Sequence, residues 1–124
     1  ETWNTFTFDK FLAFPDKDSD TETFRRFVDE HFSCFIHDDA AWEITQKNYS
    51  KATGIQFLAD RLGASPEDTF AFGDSTNDLP MLEYAGISIA MGQSDPMILP
   101  HCTYQTTSID EDGIANAMKH FHLI

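Results

Sequence analysis

The stretch FAFGDSTNDLPMLEYAGISIAMG, from Phe70 to Gly92, decides the fold because it sets a cluster of polar residues between two apolar runs. The apolar runs predict two buried strands, and the segment between them, Asp78–Ala85, predicts a helix. A strand, a helix and a second strand in this order are typical of a parallel sheet, in which ligands bind beyond the carboxyl ends of the strands. Asp74 directly follows the first strand, Thr69–Gly73, so we expect its side chain to lie in such a crevice.

The polar residues of this turn have two interpretations. In the first, Asp78 is the N-cap of the helix, and Pro80 is tolerated in the first helical turn. One cap needs only one side chain, so this interpretation leaves Asp74 and Asn77 without a role. In the second, the three polar side chains form part of a metal and phosphate site. Spacing alone leaves both interpretations open.

A lysine at the start of the preceding predicted helix favours the second interpretation. This helix runs from Lys51 to the stop signal Gly63, and Ser50 is a plausible N-cap. A cation at the first helical position opposes the helix dipole, at a cost of roughly a few tenths of a kcal/mol. An anion bound at the helix start would explain the lysine, whereas a solvated surface lysine is the alternative. The helix has one predicted apolar face, formed by Ile55, Leu58, Ala59 and Leu62.

Two parts of the chain differ in their predicted order of elements. From Lys51 onward the order is helix, strand, helix, strand, strand, helix, which predicts a doubly wound, parallel α/β sheet. The first 46 residues predict a strand (KFLAF), a helix and two short strands (SCFIH and AWEIT) around a turn at Asp38 and Asp39, as in an α+β unit. We therefore predict a boundary near residue 47, between residues 1–47 and residues 48–124.

Composition excludes several classes of partner. The 124 residues carry 21 acidic against 8 basic side chains, a net charge of −13, and no basic stripe, so a nucleic-acid partner is not expected. No apolar run approaches the roughly 18 residues that span a membrane. Cys34 and Cys102 lack metal-ligand spacing and are expected to be reduced thiols of a cytoplasmic protein. The five histidines also lack metal-ligand spacing and are expected to be structural or surface residues: His31, His37, His101, His120 and His122.

A second acidic cluster, Asp16, Asp18 and Asp20, follows the first predicted strand. A calcium loop is excluded because its sixth position, Thr21, is not glycine and its twelfth, Phe27, is not glutamate. A nucleophile loop is disfavoured because no Gly-Thr pair follows. We expect a solvated loop and a helix N-terminus, where acidic residues suit the dipole.

The segment SKATGIQFLADRLGASPEDTFAFGDSTNDLPMLEYAGISIAMG, Ser50–Gly92, resembles the C-terminal core of Cof-type phosphatases of the haloacid dehalogenase superfamily. GDSTNDLPML matches the family's fourth motif, Gly-Asp-x-x-Asn-Asp-x-x-Met, and Lys51 matches its third-motif lysine. DEDGIANAM is similar to the Asp-Gly-Val-Ala segment before the last helix. The match covers about 65 residues, up to Ile114, whereas residues 1–46 are similar only in topology to part of the family's cap. The resemblance implies an α/β fold: the C-terminal half of a Rossmann-like hydrolase core, preceded by part of an α+β cap domain.

What the resemblance implies for function is a Mg²⁺-dependent phosphatase that works through an aspartyl-phosphate on a small phosphorylated metabolite, such as a sugar phosphate. Asp74 would be a Mg²⁺ ligand, and Asn77 would hydrogen-bond the phosphate. Asp78 would support the site by bonding to the loop or to Lys51. Lys51 would neutralise charge on the transferring phosphoryl group and bind it. A metal and a lysine suit this reaction because phosphoryl transfer is catalysed mainly by positioning and charge neutralisation.

The sequence departs from the family at the nucleophile. The family carries it in an Asp-x-Asp-Gly-Thr loop after an N-terminal strand, and these 124 residues contain no such loop. We therefore expect a fragment that is inactive alone. A non-catalytic binding or regulatory module and a self-contained phosphatase that uses Asp16 and Asp18 are the alternatives.

Overall fold

The computed structural model describes residues 8–37 and 41–124, so the predicted turn at Asp38 and Asp39 lies outside the described residues. The chain divides into two compact units, Glu1–Tyr49 (unit 1) and Ser50–Ile124 (unit 2). Among the described residues, the helices are all too short or too polar to cross a bilayer.

Unit 1 is a helix packed on a three-stranded antiparallel sheet. The elements are β1 (Lys10–Ala13), α1 (Thr21–His31), β2 (Phe32–His37) and β3 (Ala41–Gln46). The strand order is β1-β3-β2, so β3 pairs with both neighbours. This arrangement is the α+β unit that the sequence predicts.

Alternation along β3 builds the core of unit 1. Trp42 and Ile44 are buried and pack with Val28 of α1, while Glu43 between them points to the other face of the sheet. Phe24 stacks on Trp42 with ring centroids 5.9 Å apart. Phe24 and Val28 of α1 therefore contact one face of this sheet.

Unit 2 is a parallel sheet flanked by helices, as predicted. Its elements are α2 (Lys51–Leu62), β4 (Phe70–Gly73), α3 (Leu79–Tyr84), β5 (Ile87–Ala90), β6 (Tyr104–Gln105) and α4 (Gly113–His120). The strands pair in the order β4-β5-β6, all in parallel. Because Gly73 is paired with Ala90, β4 and β5 end at the same level, and the segments that follow them meet at one edge of the sheet.

The ends of helix α2 are confirmed as predicted, but the burial of its predicted apolar face is not. Gly63 ends the helix in the left-handed conformation, with φ at +67°. Ala59 is buried, whereas Leu58 and Leu62 are 58% and 80% exposed. Within unit 2 the helix packs against α3. This contact leaves part of the predicted apolar face exposed.

Candidate active site

The turn after β4 requires a glycine. A Cβ atom at Gly73 would lie 2.8 Å from the Cβ of Asp78 and 3.0 Å from Cδ1 of Leu82. The missing side chain lets the 3₁₀ turn Thr76–Asp78 fold back over the end of the strand. This close approach brings the carboxylate of Asp78 under the main chain of Asp74.

Asp78 is the buried centre of the site. Its Oδ2 accepts hydrogen bonds from the backbone N–H groups of Asp74 (3.0 Å) and Ser75 (3.3 Å), and its Oδ1 pairs with Nζ of Lys51. The residue is only 5% exposed. A carboxylate so deeply buried is tolerated only when it is paired and hydrogen-bonded, as it is here.

Asp78 lies at the N-cap position of α3, as the first interpretation of this turn has it, but it does not cap the helix through its side chain. Within Ser50–Ile124, all of which the structure describes, the Asp78 side chain makes no capping bond to α3. The 3₁₀ turn that precedes α3 points the carboxylate back toward the amides of the turn instead. The same residue therefore joins the turn after β4 to the start of α2.

Lys51 reaches this carboxylate from the first turn of α2. A reciprocal cap fixes the helix start: Ser50 Oγ accepts from the N–H of Thr53 (3.2 Å), and Thr53 Oγ1 accepts from the N–H of Ser50 (2.9 Å). The lysine side chain remains 52% exposed, so its ammonium group is also open toward solvent. An acidic partner and an open face together explain a cation at this end of a helix.

Asp74 presents an exposed carboxylate at the carboxyl end of β4. In the described part of the chain, this carboxylate accepts no hydrogen bond and joins no ion pair, although the residue's main chain is hydrogen-bonded on both sides. The described residues contain no cluster of three or more acidic, His or Cys side chains that could hold a metal by themselves. One open carboxylate nevertheless fits Mg²⁺, which is often bound through one or two carboxylates, waters and substrate phosphates.

Asn77 is oriented by a residue that the sequence analysis missed. The hydroxyl of Ser75 donates to Oδ1 of Asn77 at 2.5 Å. This bond engages the amide oxygen and leaves Nδ2 as the group that can donate to an anion. Nothing in the spacing of the motif identifies Ser75.

The sequence analysis also missed the segment after β5, which holds the main chain of the turn after β4. Gly73 C=O accepts from the N–H of Met91 (3.0 Å) and from the hydroxyl of Ser94 (3.2 Å), and Asp74 C=O accepts from the N–H of Asp95 (2.8 Å). The position of this segment in the sequence could have identified it, because polar residues that follow a neighbouring parallel strand lie at the same sheet edge.

The second acidic cluster behaves as expected and lies in unit 1. Asp20 caps α1 by accepting from the N–H of Thr23 at 3.0 Å. Asp16 accepts from the hydroxyl of Ser19 (2.8 Å) and the N–H of Asp18 (3.0 Å). The bond from Ser19, foremost among these, lowers the pKa of the Asp16 carboxyl below its usual value. These bonds engage the carboxylates in local turns.

The thiols show no sign of activation. Cys34 and Cys102 are half-buried and are not joined in a disulfide, and burial raises the pKa of both. A raised pKa keeps a thiol protonated and unreactive at neutral pH. Among the histidines, Nδ1 of His101 lies 2.9 Å from Oε1 of Glu83 at the surface, in line with a surface role.

Comparison with known proteins gives one consistent result. The model of the haloacid dehalogenase-like hydrolase family matches residues 1–118. The 5-amino-6-(5-phospho-D-ribitylamino)uracil phosphatase YitU of Bacillus subtilis strain 168 is 34% identical over 111 residues, which are 85% of this chain and 41% of YitU.

Solved structures show the same likeness. The sugar phosphatase BT4131, of haloacid dehalogenase subclass IIB, matches 94% of this chain with 44% of its own, at a TM-score of 0.80 and 33% identity. The phosphatase BT1666 from Bacteroides thetaiotaomicron matches 94% of this chain with 42% of its own, at a TM-score of 0.81 and 27% identity. The chain spans between 20% and 41% of the length of the first four curated relatives that it matches.

Proposed function

The chain belongs to the haloacid dehalogenase-like hydrolases, among their Cof-like phosphatases, and from this premise we propose that it supplies the lysine and metal-ligand half of a Mg²⁺-dependent phosphatase site. One observation carries the proposal: Asp78 binds Lys51 and the Asp74 turn at once. Two segments that are separate in sequence therefore present a cation and an open carboxylate at one sheet edge. A phosphoryl group and a divalent cation are the ligands that suit this pair of charges.

Each side chain has a separate task in the proposed reaction. Lys51 neutralises the negative charge that spreads over the phosphoryl oxygens, and its half-exposed ammonium can donate to them. Asn77 Nδ2 donates to a phosphate oxygen, since its Oδ1 is held by Ser75. Asp78 positions Lys51 and does not itself contact the substrate.

Asp74 is the proposed Mg²⁺ ligand of this chain. A hard divalent cation prefers carboxylate oxygens, and the Asp74 carboxylate is exposed at the edge where the phosphate would lie. When bound, Mg²⁺ would supply charge neutralisation for the phosphoryl group. Asp74 is held at both of its peptide groups, so the point from which its side chain leaves the backbone is set before any ligand arrives.

The remaining half of the site is proposed to come from outside these 124 residues. Hydrolysis through an aspartyl-phosphate needs a nucleophilic aspartate, which attacks phosphorus while the bond to the metabolite oxygen breaks, and water then releases phosphate. We propose that unit 1 is part of a cap domain and that the substrate is a small phosphorylated metabolite, with sugar phosphates as the first class to test. The unpaired thiols agree with a cytoplasmic location, which is part of the same proposal.

The first test uses the 124-residue chain alone. We expect no Mg²⁺-dependent hydrolysis of an aryl phosphate, because the chain lacks the Asp-x-Asp-Gly-Thr loop. Hydrolysis that is lost in Asp74→Asn would contradict the fragment proposal. If that activity were also lost in Asp16→Asn, the self-contained alternative would be supported; unchanged activity in Asp16→Asn would eliminate it.

The second test examines the coding sequence upstream of Glu1. An apolar strand that ends in Asp-x-Asp-Gly-Thr would support the proposal, and a start codon beside Glu1 would favour a non-catalytic module. In a protein that includes such a loop, Asp74→Asn should lower kcat/KM about 100-fold or more across sugar phosphates, nucleotides and flavin phosphates. Ser65→Ala is the control, because it removes a hydroxyl from the segment that precedes β4, whereas Asp74 follows the strand.

A further inference from the structure

The main chain of Asp74 is fixed by the segment that follows β5. Its C=O accepts from the N–H of Asp95 at 2.8 Å. The preceding C=O, of Gly73, accepts from the N–H of Met91 at 3.0 Å and from the hydroxyl of Ser94 at 3.2 Å. Two successive carbonyl groups of the turn are therefore tied to one neighbouring segment, Met91–Asp95.

The other side of Asp74 is tied to Asp78, whose carboxylate accepts its N–H at 3.0 Å. With the peptide groups before and after Asp74 both hydrogen-bonded, its two backbone dihedrals have little freedom. These dihedrals set the direction of the Cα–Cβ bond, and hence the region that the carboxylate can reach through its side-chain rotamers.

The Met91–Asp95 segment is itself held by local hydrogen bonds. Ser94 N–H donates to Met91 C=O (3.1 Å), and Oδ1 of Asp95 accepts from the N–H of Met97 (2.8 Å). Ile98, which donates its N–H to Asp95 C=O (3.1 Å), is fully buried in the core of unit 2. The side chain of Asp95 thus closes a turn that is anchored in the core.

We propose that Ser94 and Asp95 are positioning residues that aim the Asp74 carboxylate at the metal. Ser94 acts through its hydroxyl on Gly73 C=O. Asp95 acts through its backbone N–H on Asp74 C=O, while its side chain holds the turn that presents this N–H. The inference rests on the proposed function, because it takes Asp74 to be the Mg²⁺ ligand.

The experiment titrates the ¹⁵N-labelled 124-residue chain with Mg²⁺ alone and follows the amide signals of Asp74 and Ser75 by NMR. The wild type should show saturable shifts that are absent in Asp74→Asn. Ser94→Ala and Asp95→Ala should each raise the dissociation constant for Mg²⁺ by about 10-fold, the size found when groups that orient metal ligands are removed. Melting temperatures are measured in parallel, since a purely structural role would lower them without changing Mg²⁺ affinity in the folded chain.

Two controls separate positioning from charge. Asp95→Asn keeps an acceptor for the N–H of Met97 and removes the charge, so it should bind Mg²⁺ as the wild type does. Ser65→Ala removes a hydroxyl from the segment that precedes β4 and should also leave affinity unchanged. Should Asp95→Ala not fold, Ser94→Ala carries the test by itself.

The outcomes distinguish the positioning role of Ser94 and Asp95 from the proposed phosphatase function on which it rests. Unchanged affinity in Ser94→Ala and Asp95→Ala, with binding still lost in Asp74→Asn, would overturn the positioning role and leave the proposed function intact. Equal weakening in Asp95→Asn and Asp95→Ala would also overturn it, because charge would then be the cause. Wild-type shifts that are absent, or that persist in Asp74→Asn, would overturn the metal role of Asp74 and the positioning role together.

Discussion

At the scale of single residues, Asp78 and Lys51 form an unequal pair. Asp78 is buried and accepts from two backbone amides as well as from the lysine. Lys51 is half-exposed and can be solvated if its partner is lost. Removing the carboxylate leaves two part-buried N–H donors without an acceptor. Removing the lysine leaves a buried carboxylate without its cation, and this is usually the more costly change.

We therefore expect Lys51→Met to destabilise the chain more than Asp78→Ala does. The expected losses in the free energy of unfolding are about 3 kcal/mol for Lys51→Met and about 2 kcal/mol for Asp78→Ala. Urea denaturation measures both. Lys119→Met, at an exposed position of α4, is the control and should stay within about 0.5 kcal/mol of the wild type. A larger loss for Asp78→Ala than for Lys51→Met would contradict this account.

The sequence identified the charged residues of this site but not what orients them. Lys51 and Asp74 stand out because a helix start and a strand end are places where charge has known consequences. Ser75 and Ser94 could not be found in this way, because a hydroxyl that donates to a neighbouring amide or carbonyl leaves no periodic or spacing signal. Asp78 makes the contacts that the family resemblance implies, to the loop and to Lys51. The 3₁₀ turn before α3 directs its carboxylate there and away from the helix, although the residue lies at the N-cap position.

At the scale of elements, α2 shows which properties are local. Its ends depend on nearby residues: Ser50 and Thr53 cap the start, and Gly63 takes a positive φ at the end. Such signals can be read from the sequence, and the predicted ends are confirmed. The burial of Leu58 and Leu62 depends on what packs against the helix, and periodicity predicts an apolar face without specifying its partner.

Two glycines of this segment allow a matched test of the C-terminal cap. An added Cβ would meet no heavy atom within 4 Å at either Gly54 or Gly63, so packing is equal and only the backbone differs. Gly54→Ala, inside the helix, should stabilise the chain by about 0.5–1 kcal/mol by restricting the unfolded state. Gly63→Ala should destabilise it by about 1 kcal/mol, because φ of +67° is unfavourable for alanine. Thermal unfolding measures both signs, and changes of the same sign in the two variants would refute the assigned cap.

At the scale of the whole molecule, the two units have cores of different size. In unit 1, Val28 and Ile44 are fully buried and Trp42 is nearly so. Unit 2 is longer and buries residues from its strands, from α3 and from the segment after β5, including Leu82, Ile89 and Ile98. Stability rises with the apolar area that a unit can remove from water, and units of about 50 residues are marginal by this measure.

We therefore expect unit 1 to unfold at a lower urea concentration than unit 2. Trp42 lies in unit 1 and is nearly fully buried, so its fluorescence should report the transition of this unit. Far-UV circular dichroism should follow mainly unit 2, which contains three of the four α-helices described in residues 8–37 and 41–124. Ile44→Val should shift only the fluorescence transition and Ile89→Val only the dichroism transition, each by about 1 kcal/mol, since both side chains are fully buried. If the two probes gave coincident curves and each variant shifted both, the units would be unfolding as one cooperative body, and the smaller core of unit 1 would not limit its stability.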